Sequence, residues 1–338
     1  MKNMKKIAYL LICLILFACS SNPNSTLNHS PEEVKNNIIV DKDYGKGNKD
    51  IVVFSTNDTL SAFNDNLGFA GIKYYIDHFD KRENFTTFVD VGNFSAGTEI
   101  AEKSKGKSSI EIMNMMGYDI IVPGSYEFSY GIDTFYENMK ALKATVVCCN
   151  IYDIKKGEIP FTPYVIYQYG NLKVAFVGVT SPEALLLSET HDYFYDENNE
   201  QLIYLFEDED GEVLYKQVQS AVDAAKSEGA DKVILLAHLG IEGIIEKWSS
   251  TRVIANTKDI DAVIDGHSME VLDNGLMINK VGKFIPLVQA GSKCKYVGAI
   301  NISKENYINQ AVLKERSVNT KDERIQKEID KVLEKYSK

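Results

Sequence analysis

Cysteine, tryptophan, histidine and proline are all scarce in this chain of 338 residues, with five, one, five and seven copies. The cysteines are Cys13, Cys19, Cys148, Cys149 and Cys294, and no pair has CxxC spacing. That excludes a disulfide framework. Cys148 and Cys149 sit in the apolar run 144–150 and read as small core residues of a buried strand. Positive charge is also short. There are 37 basic against 48 acidic residues, a net charge of −11, and no basic block in the body of the chain. A nucleic-acid backbone is therefore excluded as partner. Past the first 20 residues there is no long apolar run, and no internal repeat is evident. What is present is an ordinary globular balance, 44% hydrophobic and 25% charged. It supports a sizeable core without metals or disulfides.

The N-terminus carries the clearest targeting signal. Lys2, Lys5 and Lys6 precede an apolar stretch from Ile7 to Phe17, too short for a confident membrane span. It ends Leu16-Phe17-Ala18-Cys19, which resembles a bacterial lipobox; a plain signal peptide is the alternative. Residues 1–18 are thus expected to be a lipoprotein signal peptide and Cys19 the acylated first residue. Their removal takes three lysines and no acids, moving the net charge from −11 to −14. Residues 19–48 are rich in Asn, Ser, Pro, Asp and Lys and read as a flexible tether. The expected location is the bacterial cell envelope, periplasmic or at the surface, held to the membrane by the lipid.

From residue 49 strands and helices alternate. Strands are expected at 51–55, 86–90, 119–123, 145–149, 232–237, 262–265, 285–289 and 296–302. A hairpin with a Gly-Asn turn is expected over 164–179. Helices are expected at 68–79, 108–116 with Gly117 as stop, 132–142, and 216–229. Residues 183–212 are polar and acidic and read as a solvated surface insertion; the run 207–211 lacks the spacing of a calcium loop. Residues 316–338 read as an amphipathic surface helix. The pattern predicts an α/β layered fold, a single domain over 49–315. Ligands in such folds sit beyond the carboxyl ends of the strands.

Five segments stand at those ends: Ser55-Thr-Asn-Asp-Thr-Leu60, Asp90-Val-Gly-Asn93, Gly124-Ser-Tyr-Glu-Phe128, Ala237-His-Leu-Gly240 and Gly266-His-Ser-Met269. With Asn114-Met-Met-Gly-Tyr-Asp119, Gly178-Val-Thr-Ser-Pro182 and Asp259 to Ser268, they make residues 50–303 similar to the metallophosphoesterase (calcineurin-like) superfamily. The 5′-nucleotidase and UDP-sugar hydrolase branch is the nearest match. The resemblance implies a layered β-sandwich with flanking helices. It also implies a two-metal site in which the cations clamp a phosphate and activate a water.

Set against the family's motifs, the chain departs at most ligand positions. Asp58, His238 and His267 match. Leu60 and Met269 stand where the family has histidines, Asn93 where it has the bridging aspartate, and Ser125 where it has an asparagine. Tyr126 replaces the family's acid histidine, and Glu127 remains. Leucine cannot ligate, and a thioether suits hard cations poorly. Asn93 brings no charge to hold two cations together. A dinuclear centre is therefore not expected. Asp58, Asn93, His238 and His267 are the candidate ligands for one divalent ion, zinc or manganese. The two histidines read equally well as residues held by hydrogen bonds. Two functional readings stay open. One is a protein with weak or no hydrolase activity that binds a phosphate-containing small molecule or a protein partner. The other is an active phosphoesterase with a mononuclear site.

Overall fold

The computed structural model describes residues 42–79, 81–187, 190–313 and 320–338. The expected signal peptide, Cys19 and most of the tether lie outside them. In chain order the elements begin with β1 (Lys42–Asp43), β2 (Asp50–Thr56), α1 (Gly68–His78) and β3 (Asn84–Asp90). Next come α2 (Glu99–Ser104), α3 (Lys107–Met116), β4 (Ile120–Ile121), α4 (Ile132–Ala141), β5 (Thr145–Val146) and β6 (Tyr152–Asp153). β7 (Tyr164–Tyr169), β8 (Leu172–Thr180), β9 (Ile203–Tyr204), α5 (Glu212–Ser227) and β10 (Lys232–His238) follow. The last are α6 (Ser250–Asn256), β11 (Ala262–Ile264), β12 (Val271–Ile278), β13 (Phe284–Ala290), β14 (Val297–Ile302), β15 (Ile308–Leu313) and α7 (Glu323–Ser337).

Two sheets face each other. One runs β1-β7-β8-β10-β11-β13-β12 and the other β15-β14-β2-β3-β4-β5. Within them β8, β10, β11 and β13 are parallel, as are β2, β3, β4 and β5. The two-residue period of a strand explains the layering. On β2, Ile51 and Val53 enter the core between the sheets, while Val52 and Phe54 enter the core under the helices. Helix α5 covers the outer face of the first sheet on β7, β8 and β10, while α7 packs on α1, α2 and α3. This is the layered α/β sandwich the sequence predicts.

Three segments differ from the sequence reading. The chain already belongs to the fold at Lys42, the first described residue and seven before the expected boundary, because Tyr44 stacks on Tyr169 at 4.6 Å and its hydroxyl meets Thr87 Oγ1 at 2.9 Å. The tail helix is not only a surface element, since Ile325, Ile329 and Val332 enter the helical core. Residues 183–212 are not a solvated insertion either: Glu183, Phe194, Leu205 and Phe206 are buried. Cys148 and Cys149 are fully buried, as small core residues should be.

Candidate functional site

The parallel strands of both sheets end at one pole. Thr56, Asp90 and Ile121 are in register across β2, β3 and β4, and Thr180 pairs with His238 across β8 and β10. The loops leaving these strands meet there. Their closeness requires glycine at two positions in particular. A Cβ on Gly124 would lie 2.6 Å from the Asn93 nitrogen and 2.7 Å from the His238 ring. One on Gly92 would lie 2.6 Å from the Gly124 backbone, and Gly92 has φ +94°. Six non-glycine residues of the loops, Asp58, Leu60, Ser61, Asn93, His267 and Met269, also take left-handed backbone. Leucine and methionine gain no local hydrogen bond from that conformation. Tertiary contacts hold it instead, such as Leu60 N–H on the Asn93 carbonyl at 2.9 Å.

The four sequence-predicted ligands are brought together, and three are bonded to one another. Asn93 Nδ2 donates to Asp58 Oδ1 at 2.8 Å, and its Oδ1 accepts from the Tyr126 backbone at 2.9 Å. Asp58 Oδ2 accepts from Asn57 Nδ2 and from the His267 backbone N–H, both at 2.9 Å. The His267 ring lies 5.1 Å from that of His238, edge to face. Its Nε2, however, is 2.7 Å from Glu183 Oε2. Glu183 is fully buried, and its other oxygen accepts from the Ile245 backbone at 2.6 Å.

His238 is arranged differently. Its Nδ1 sits 2.6 Å from the Val91 carbonyl, which can only accept, so the proton is on Nδ1. Nε2 then carries a lone pair, is buried, and has no partner among the described residues. The hydroxyls of Thr59, Ser125 and Thr180, on the same set of loops, are also buried without a partner among the described residues. Glu127 is fully spent on the backbone. Its two oxygens accept from the N–H groups of Asn93, Phe94, Ser95 and Gly124 at 2.6–3.0 Å. It ties the loop after β3 to the loop after β4.

The electrostatics follow from burial. Desolvation pushes Asp58 up to about 6 against the bonds from Asn57 and Asn93, and Asp265 up to about 6 against its backbone and side-chain donors. Desolvation likewise drives His238 well below the usual imidazole value, and the nearby His267 adds to this. For His267 burial pulls downward, but the bond to Glu183 and its charge outweigh burial, so its pKa is raised. His267 and Glu183 therefore share a buried hydrogen bond that favours the charged imidazole, an ion pair whenever the ring is protonated.

A pH dependence of stability follows. Asp58 and Asp265 titrate near 3.8 in the unfolded chain and near 6 in the fold. Their ionisation penalty is absent below about pH 4 and complete above about pH 6, about 3 kcal/mol per group. His238 acts oppositely, because only the unfolded state protonates it below about 6.5. Asp90, Glu127 and His267, all shifted upward and buried, lose stability with rising pH as the two aspartates do, and together these groups outweigh His238. Urea unfolding is expected to show stability falling between pH 5 and 7, with a shallower fall in Asp265→Asn. A rise across that interval would contradict this account.

The donors as arranged do not fit a two-metal group. Leu60 and Met269 offer no hard donor, Asn93 turns its amide nitrogen to Asp58, and His267 Nε2 is taken by Glu183. Among the described residues no three His, Cys, Asp or Glu side chains are grouped to hold an ion. Sequence reasoning missed Glu183 and Gln289. Gln289 donates to the Gly266 carbonyl and accepts from Ser268 and Glu270, shaping the loop that carries His267. The signal for Glu183 was its position, three residues beyond the end of β8 in a carboxyl-end loop.

No family model matches the chain. Among curated proteins it is 26% identical over 298 residues to a 2′,3′-cyclic-nucleotide 2′-phosphodiesterase/3′-nucleotidase of Haemophilus influenzae, covering 76% of this chain and 43% of the relative. It is 29% identical over 268 residues to the trifunctional nucleotide phosphoesterase YfkN of Bacillus subtilis, covering 68% and 17%. It is 27% identical over 256 residues to the 5′-nucleotidase of Bos taurus, covering 70% and 41%. The chain thus spans less than half the length of these relatives. The crystal structure of the calcineurin-like phosphoesterase YfkN from Bacillus subtilis shares the fold, with TM-score 0.65, 23% identity, and 86% of this chain and 99% of that one covered.

Proposed function

We propose that this chain, which belongs to the calcineurin-like phosphoesterase superfamily on its 5′-nucleotidase branch, is a lipid-anchored envelope protein that binds a phosphate-containing small molecule and hydrolyses it weakly or not at all. One observation carries this reading. The side chains that would coordinate cations are bonded to one another, Asn93 to Asp58 and His267 to Glu183. A two-metal phosphoesterase needs those lone pairs for the ions that clamp phosphate and lower the pKa of water. The site retains buried polar atoms at Thr59, Ser125, Thr180 and His238 that have no partner among the described residues. The hydroxyls can donate to phosphate oxygens, and the His238 Nε2 lone pair can accept from an ordered water or a protonated phosphate. The relatives are named for nucleotide substrates; only the phosphate-bearing class is carried over here.

One observation favours a second reading, a phosphoesterase with a single ion. His238 Nε2 holds a free, buried lone pair, the posture of a metal ligand whose other nitrogen donates to a carbonyl. The test is elemental analysis of purified protein after zinc or manganese loading, with hydrolysis of AMP and p-nitrophenyl phosphate measured in parallel. We expect well under one metal equivalent and rates orders of magnitude below those of an ordinary enzyme. A full equivalent of metal with ordinary turnover would replace the first reading by the second.

A further inference from the structure

The pole opposite the candidate site carries an unusual hairpin. β12 and β13 pair with Ile278 opposite Phe284 and Leu276 opposite Pro286. Directly opposed residues share a face, and so do residues two apart on one strand. Leu276, Ile278 and Phe284 therefore form one apolar surface, and Val281 crowns the turn. They are 61%, 55%, 64% and 67% exposed. Lys280 and Lys283 are interleaved with them and exposed, Lys283 reaching Asp261 at 2.7 Å.

Where this hairpin sits narrows what could cover it. β13 starts at Phe284, so the tip lies where the parallel strands begin, away from the site at their other ends. Lys42 lies at the same pole, since β1 pairs with Tyr167 and Gln168 beside the turn from β7 to β8. The hairpin tip and the first described residue of the domain therefore lie at one pole. β1 and β12 are the two edges of one seven-stranded sheet. Six interstrand steps of about 4.8 Å put them roughly 30 Å apart. A cleft at this pole is lined by Lys42, Lys49, Lys73 and Lys81 against Asp77 and Asp119, a local excess of positive charge on a chain of net charge −11.

We infer that the β12–β13 tip docks into the headgroup region of an anionic lipid bilayer, so that the domain stands with its candidate site facing away from the membrane. The four apolar side chains offer on the order of 400 Å², about half of what each partner of a stable protein pair contributes. An area that small suits shallow insertion at an interface, with the lysines meeting anionic headgroups. Among the described residues no helix is long and apolar enough to span the bilayer. Docking complements an anchor at Cys19 and rests on that reading only for the protein's presence at the membrane.

The test places tryptophan reporters in the full chain. F284W marks the hairpin and I244W marks an exposed loop beyond β10, at the site pole; the single native tryptophan, Trp248, is buried and subtracts as background. The proteins are reconstituted into phosphatidylglycerol–phosphatidylcholine vesicles with brominated acyl chains. We expect blue-shifted F284W emission quenched about twofold, with I244W unchanged. Equal behaviour of both reporters would overturn docking. So would a blue shift that follows protein concentration without lipid, accompanied by dimers in sedimentation, which would assign the hairpin to a second copy. Flotation of the wild type against Cys19→Ser reads the lipid anchor separately. If anchoring fails there, F284W with added vesicles still reports on the hairpin.

Discussion

Replacing Glu127 by alanine is expected to lower the unfolding free energy by about 4 kcal/mol or more, enough to lower Tm by roughly 10 °C. The carboxylate is fully buried and accepts four backbone N–H groups. Alanine leaves all four without an acceptor, at about 1–3 kcal/mol for each that stays dry. Water entering the vacated space and relief of a buried acid offset part of this. Burial raises the Glu127 pKa despite the four bonds, so the wild type already carries some desolvation cost. Glu127→Gln separates charge from hydrogen bonding. Its oxygen serves two of the amides while its NH₂ confronts the other two, so it should retain at most half of the loss suffered by alanine as a benefit. Denaturant unfolding at pH 7 measures both. A change under about 1 kcal/mol in Glu127→Ala would show that the loops are held by other contacts.

How much of this was legible in the sequence depends on the range of the interaction. β2, β3, β8 and β10 are short apolar runs bounded by turn signals, and the glycine stop after α3 is Gly117 with φ +74°. Strand periodicity and local chemistry reveal such elements. β12 was not legible, because its outward residues are the apolar ones and a register shift between Leu272 and Gly275 interrupts the alternation. The site divides in the same way. That Asp58, Asn93, His238 and His267 would converge follows from their places at strand ends. That Asn93 would bond Asp58, 35 residues away, or that Glu183 would reach His267 across 84 residues, follows from nothing local. A polar, acidic stretch such as 183–212 looks solvated whether all its carboxylates face water or one of them meets a buried imidazole.

Glu183 is also where the second large effect is expected. Glu183→Ala removes one member of a buried pair, ionic when His267 is protonated, and orphans the Ile245 amide. Breaking such a pair costs about 3–5 kcal/mol, and the lower figure applies here because His267 can shed its proton once its partner is gone. The same change frees His267 Nε2. With the ring centroids 5.1 Å apart, His238 and His267 would then present two imidazole lone pairs to one small volume. Two neutral imidazoles with water suit zinc. The variant should therefore respond to zinc where the wild type does not. A metal at one hundred times its Kd returns about 2.7 kcal/mol, most of what the substitution removes. Thermal unfolding with and without zinc, at a pH where histidine is neutral, reads this directly. Glu183→Ala/His238→Ala should lose the recovery while keeping the initial destabilisation. Wild-type protein gaining as much from zinc as the variant would mean that Glu183 yields its histidine readily. The candidate site would then be a metal site held shut by an exchangeable internal ligand.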